Sequence, residues 1–230
     1  MASLKKSTLG FLEELKKNNN REWFAENKSR YEEEREKVIL FADELLLEMQ
    51  KHDKIQTISG KKSLYRIYRD VRFSKDKIPY KTHWSGHFIR ATNELRGGYF
   101  FSLEKGNSFI AGGFWGPSPE DLKLLRHQIA NDEEALRGVI TAKSFKDNFG
   151  EMFGSQLKTA PKGFPKDHSA IDLLRYKQYI LQHNFTDTEV LADDFPQKVT
   201  RIFKEMRPFL DLMSDFLITD LNGELLNTTN

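Results

Sequence analysis

The chain has 230 residues, 38% of them hydrophobic and 30% charged, a size that fits one large domain or two small ones. Its 18 Phe, 7 Tyr and 3 Trp exclude a disordered chain, and 14 Gly with 7 Pro exclude a collagen-like or linker-like one. A formal charge of +2 names no partner in bulk, and the absence of Cys excludes disulfides, thiolate metal sites, iron–sulfur clusters and a cysteine nucleophile.

Thr8 reads as the cap of a short first helix with Leu9, Phe11, Leu12 and Leu15 on its apolar side, ended by Asn18-Asn19-Asn20. A long helix is expected from about Arg21 to Lys51, because Phe24, Tyr31, Val38, Phe41, Leu45 and Met49 recur at spacings of three, four or seven. Glu32, Glu33, Glu34 and Glu36, mixed with Arg30, Arg35 and Lys37, suit its solvated face better than an acidic cofactor box. From Leu64 to Trp115 the period changes to two. Strands are expected at Leu64 to Phe73, Trp84 to Thr92, Tyr99 to Leu103 and Ser108 to Trp115, joined by hairpin-length turns at 93–98 and 104–107.

Ser118-Pro119-Glu120-Asp121 then opens a helix carrying Leu122, Leu125 and Ile129, and Asn131 with Glu134 opens another. Ser169 is expected to cap a short helix through Leu174, and Tyr176 to Phe185 reads as a further strand. A final helical region starts at Asp193 or Asp194 and is kinked or split by Pro208. The fold class is therefore α+β, an antiparallel meander of about four strands, with one or two more, packed against several helices. No repeat or linker interrupts it, so one domain over residues 1–230 is expected. The apolar residues of Met1 to Leu15 are broken by Glu13 and Glu14, and those of Val38 to Leu47 by Asp43 and Glu44. Neither makes a signal or a membrane span, so the expectation is a cytoplasmic protein with no membrane partner. On that expectation the glycosylation patterns Asn184-Phe185-Thr186 and Asn227-Thr228-Thr229 are chance matches.

Charge is uneven along the chain. Residues 61–83 hold eight cations against Asp70 and Asp76, a net +6, while the rest of the chain sums to −4 and the stretch from Asn184 alone to −5. Clustered guanidinium groups suit phosphate or carboxylate through planar, paired donors. On the expected strand Arg66, Tyr68, Asp70 and Arg72 share one side, with Tyr65, Ile67, Arg69, Val71 and Phe73 on the other. That polar stripe fits a solvated face with Asp70 pairing an arginine, a buried ion pair tying helix to sheet, or an anion site. Asp70 is a candidate general base but not a proton donor, since flanking arginines favour its ionised form.

Lys75 to Lys81 reads as a basic loop, with Pro79 extending Ile78 and Asp76 closing a turn. The candidate ligand-binding set here is Arg66, Arg69, Arg72, Lys75, Lys77, Tyr80 and Lys81. A nucleic-acid partner is a further alternative, with Tyr65, Tyr68, Tyr80 and Trp84 as stacking faces. His83 and His87 have a helical zinc spacing, yet on a strand they stand roughly 13 Å apart, too far to share one ion, so no metal is expected. His83 remains a candidate acid/base beside the loop. Gly112-Gly113 before the Pro119 helix resembles a phosphate cradle only superficially, because Glu120 and Asp121 follow; close backbone packing or a bulge explains it better. No nucleotide, dinucleotide or serine-hydrolase motif is present, and no cofactor is implied.

Phe11-Leu12 to Asn19, Trp23-Phe24 with Tyr31, the long run Arg66 to His83, Gly112-Gly113 before Leu122, Pro161-Lys162-Gly163-Phe164, His168 and Leu173-Leu174-Arg175 occur in one order over about Leu9 to Phe185. In this the sequence resembles a conserved bacterial and fungal family known as domain of unknown function 2461. Ile78 stands where that family more often has Thr. The resemblance implies one domain with a family-like core of about 9–216, and it carries no activity, substrate or cofactor. It marks the basic segment as a signature and Lys162, His168, Arg175 and Lys177 as a companion segment, expected to meet it in a pocket for an anionic ligand. Two classes stay open: a binding module for a phosphate- or carboxylate-bearing molecule, or an enzyme on a phosphorylated or nucleotide-like one using His83, Asp70 or His168.

Overall fold

Residues 4–226 are described by the computed structural model, and the Asn227-Thr228-Thr229 pattern lies outside them. Four strands, β1 (Trp84–Ile89), β2 (Gly98–Leu103), β3 (Ser108–Phe114) and β4 (Tyr179–Phe185), form an antiparallel meander in the order β1-β2-β3-β4. The β2–β3 turn closes with Asn107 N–H on Glu104 O at 2.9 Å and Gly106 at φ +70°, where glycine is unstrained. By Cα proximity the chain divides into two compact units, each made of three separated segments: 1–89, 100–110 and 184–201, and 90–99, 111–183 and 202–230.

The first unit begins with α1 (Lys6–Lys17), α2 (Arg21–Glu26) and α3 (Lys28–Met49). The single long helix expected from Arg21 is broken at Asn27, which leaves helical geometry and donates its N–H to Trp23 O at 3.1 Å. Asn20 caps α2, its Oδ1 accepting from Trp23 N–H at 2.8 Å. Thr8 is not a cap. It lies inside α1, fully buried, with its hydroxyl on Glu34 at 2.8 Å and its carbonyl accepting from Trp84 Nε1 at 3.0 Å.

Glu34, expected on a wet face, is thereby buried, and Lys37 donates to it at 2.9 Å. Burial alone would raise its carboxyl, and the hydrogen bonds from Lys37 and Thr8 overcome that and lower it. Aromatic packing fills this core: Phe41 stacks on Phe195 at 5.5 Å and Tyr31 on Trp84 at 5.5 Å. Helix α4 (Gly60–Ser63) lies so close to α3 that a Cβ on Gly60 would stand 2.5 Å from Ile39 O.

The second unit holds α5 (Pro119–Asn131), α6 (Glu133–Thr141), α7 (Lys143–Phe149) and α8 (Ile171–Leu174). Ser118 caps α5 as its sequence predicts, accepting from Asp121 N–H at 3.0 Å, whereas Ala170 rather than Ser169 precedes α8. Gly113 is at φ +140° and a Cβ there would meet Tyr179 O at 2.2 Å, so close packing is the reason for this glycine. After α9 (Asp187–Val190), the last helical region is split at Met206 into α10 (Phe195–Glu205) and α11 (Arg207–Ile218), with Pro208 in the first turn of α11. Thr186 of the first glycosylation pattern is spent on α9, in a capping box with Glu189.

The centre of the second unit holds a charge that the sequence did not flag. Arg90 is buried, ion-paired with Asp211, and donates to Ser214 Oγ and Arg96 O, both at 3.3 Å. Asp211 also takes Arg207 at 2.9 Å. Such a desolvated cation persists only because its donors are engaged.

Candidate functional site

The segment expected as a first strand, Leu64 to Phe73, is not one. It runs antiparallel to β1 and to the chain leading into it through two isolated bridges, Leu64 with Gly86 and Tyr68 with Tyr80. Its hydrogen bonds are sparse: Tyr65 N–H to Ser85 O (2.9 Å), Lys81 N–H to Ile67 O (2.8 Å) and Arg69 N–H to Pro79 O (2.9 Å). Pro79 has no N–H to return, and the Asp70 and Asp76 carboxylates take the amides of Arg72 and Ile78, so a ladder cannot propagate. The alternation of faces also stops early. Ile67 is buried, while Phe73, assigned to the same side, is 96% exposed.

The hairpin is nevertheless anchored. Asn19, at the end of α1, donates to Tyr80 O at 3.0 Å and accepts from Tyr80 N–H at 3.1 Å. Tyr80 was expected on the basic rim; it is instead core, 5% exposed and stacked on Phe24 at 4.0 Å. The aromatic pair needs no charge beside it, which removes Tyr80 from the ligand-facing set.

The cations divide by what they already hold. Arg72 grips Asp70 through Nε at 3.0 Å and Nη2 at 2.6 Å, and this pairing holds the Asp70 carboxyl below the usual carboxylate range. Arg69 donates to Asp76 at 2.8 Å and to Ile78 O at 3.2 Å. Lys77 reaches Val71 O at 2.9 Å. Arg66 and Lys75 are exposed and have no ion pair or side-chain hydrogen bond among the described residues.

Lys81 is the unusual one. Its ammonium donates to the Arg66 carbonyl at 3.0 Å and lies 5.1 Å above the Tyr65 ring. Burial, with the Arg66 charge beside it, pushes Lys81 below the ordinary lysine value.

Next to it, His83 lines a narrow crevice with Tyr31, Arg35 and Tyr65. Burial and the Lys81 charge push its imidazole below the ordinary value against an opposing pull from Glu104. That shift favours the neutral imidazole. Burial likewise raises the Tyr31 phenol, with Arg35 opposing. His87 is on β1, an extended segment as the zinc argument required, and stacks on Tyr65 at 4.9 Å. Among the described residues no group of three or more His, Asp or Glu is placed to share a metal ion.

Arg175 and His168 belong to the other unit. Arg175 donates Nε to Leu157 O at 2.7 Å and lines a cleft of about 350 Å3 with Arg137, Lys146 and Asp172. His168 uses Nδ1 to accept from Ala170 N–H at 3.1 Å, which gives it a local turn-closing job. Sequence reading missed Arg35 and Tyr31 as crevice residues, because on α3 Arg35 sits within a charged pattern that signals only a surface and Tyr31 within an apolar one that signals only core.

The family model described as conserved hypothetical protein (DUF2461) matches residues 7–212. This chain belongs to that family. The match extends beyond the Leu9 to Phe185 span of the sequence resemblance at both ends and includes the whole basic hairpin of this DUF2461 protein. No curated protein and no solved structure matches the chain. No helix among the described residues is long and apolar enough to cross a membrane.

Proposed function

We propose that this DUF2461 protein binds a phosphate- or carboxylate-bearing molecule at the hairpin, with Arg66 and Lys81 as the primary contacts and Lys75 at the rim. One observation carries the reading. The Lys81 ammonium is drawn onto the Arg66 carbonyl, partly desolvated and within reach of the Arg66 charge, while Arg66 itself has no ion-pair partner among the described residues. Lys81 and Arg66 repel one another, the Asp70 carboxylate that feels the Arg66 charge is already gripped by Arg72, and an arriving anion turns the repulsion into two charge-assisted hydrogen bonds. Arg69 and Arg72 play a different part: paired to Asp76 and Asp70, they shape the loop.

The test is thermal melting with inorganic phosphate, pyrophosphate and citrate, comparing the wild type with Arg66→Ala and Lys81→Met. A bound anion raises the melting temperature by mass action, and both substitutions are expected to remove the rise. An equal rise in all three proteins would defeat the reading.

The neutral imidazole of His83 beside Lys81 favours a second reading, an acid–base step on the bound anion. Its test is turnover of phosphate esters, with His83→Gln expected to abolish turnover and leave anion binding in place. Loss of binding together with turnover would give His83 a binding role instead.

A further inference from the structure

The second unit carries a cleft of about 610 Å3 between the start of α5 and the turn at Lys162–Phe164, a volume in the range of small-molecule sites. We propose that this cleft binds a phosphate monoester carrying a flat ring, independently of the hairpin. The inner face of α5 buries Leu125, Gln128 and Ile129, which leaves Lys123 and His127, one turn apart, on its outer side. Arg126 ties the helix down, donating Nε to Leu174 O at 2.9 Å and Nη2 to Tyr176 O at 3.1 Å. Those acceptors are neutral carbonyls, so its charge stays uncompensated.

Across the cleft, Phe164 N–H closes a turn on Pro161 O at 3.2 Å, with Gly163 at φ +93°, a conformation open to glycine. This turn presents Lys162 and sets the Phe164 ring 5.2 Å from the His127 ring. No carboxylate lines the cleft, and neither Lys123 nor Lys162 has an ion pair among the described residues. Of the two acids in the first α5 turn, Glu120 does not line the cleft and Asp121 is held by Arg96 at 2.6 Å, so the repulsion that argues against a phosphate at the helix start does not reach this cleft.

Three cationic side chains, Lys123, Arg126 and Lys162, match the double charge of a phosphate monoester better than a single carboxylate. Phe164 and His127 supply faces for a planar ring, the kind of contact that bases and aryl groups make with aromatic side chains.

The experiment is calorimetric titration of the full chain at low salt with AMP, phenyl phosphate, adenosine and inorganic phosphate. AMP or phenyl phosphate is expected to bind, and the ring without charge and the charge without ring to bind more weakly. The double variant Lys123→Ala/Lys162→Ala should lose about tenfold or more in AMP affinity, because two charged hydrogen bonds are removed. Phe164→Leu should erase the advantage of AMP over inorganic phosphate while phosphate binding persists. All three side chains reach the surface, and unchanged melting of the unliganded variants verifies folding. An AMP affinity unaltered in the double variant, no binding of either ester, or binding lost only with Arg66→Ala would each overturn the proposal, the last by moving the ligand to the hairpin.

Discussion

Arg90 and Arg66 are the same residue type with opposite circumstances. Arg90, in the second unit, has no exposed side-chain surface and is held by Asp211, Ser214 and the Arg96 carbonyl. Arg66, in the hairpin of the first unit, is exposed and has no ion pair or side-chain hydrogen bond among the described residues. One is structure: its charge is matched, and removing it leaves Asp211 with Arg207 alone and takes a donor from Ser214 and the Arg96 carbonyl. The other lends its unit a carbonyl for Lys81 and a charge that favours ionised Asp70, and its guanidinium donors stay free for something else. A cation that the fold has already neutralised is poor evidence of a ligand, and one that the fold holds near another cation is better evidence.

The contrast breaks most visibly at Arg90. Arg90→Ala is expected to cost about 3 kcal/mol, the lower end for stripping one partner from a buried pair because Asp211 retains Arg207. In a chain of this size that lowers the melting temperature by roughly 6–12 °C in a calorimetric scan. A loss within the scatter of surface substitutions would mean that Arg90 is as dispensable as Arg66.

Arg66→Ala is expected to do the reverse. Stability should change by no more than about 0.5 kcal/mol, while affinity for pyrophosphate falls by about tenfold in a calorimetric titration.

The pH dependence sharpens the comparison further. Lys81 binds an anion as an ammonium, and its value lies below the usual 10.5. Anion affinity should therefore fall as pH rises through that lowered value, and Lys81→Met should flatten the alkaline limb. The sign for the unliganded protein is opposite. Between the lowered value and 10.5 the unfolded chain holds a proton that the folded chain has lost, so the Lys81 contribution to stability rises with pH across that window. The difference between the wild-type and Lys81→Met denaturation midpoints, followed from pH 7 to 10.5, should show it.

The smallest effect belongs to Arg72→Ala. Its pair with Asp70 is exposed, so the melting temperature should stay within the scatter of surface substitutions, and anion affinity should move by less than about twofold. A tenfold loss of anion affinity in this variant would return Arg72 to the binding set.

Much of the fold was legible because periodicity and capping are local. The strand near Trp84, the two-residue alternation of Tyr99–Leu103, the Ser118-Pro119 helix start and the break before Pro208 all depend on neighbours within a turn or a pleat. The errors have a common origin in contacts between residues far apart in the chain. Thr8 reads as a cap until Glu34 and Trp84 claim its hydroxyl and carbonyl, and Tyr80 reads as a rim residue until Phe24 stacks on it. Leu64 to Phe73 has the alternation of a strand, but Pro79 and two turn-closing aspartates leave it without a ladder.

By itself, the sequence determined an α+β chain with a four-stranded antiparallel meander, and concentrated net positive charge between Lys61 and His83. Composition, period and charge counting establish these because each is a property of short windows. Which of those cations is free was a tertiary decision: Asp76 and Asp70 neutralise Arg69 and Arg72, and the fold of the hairpin lays Lys81 on the Arg66 carbonyl. Burial and pairing depend on what the chain brings alongside, and a linear sequence of charges holds no distances.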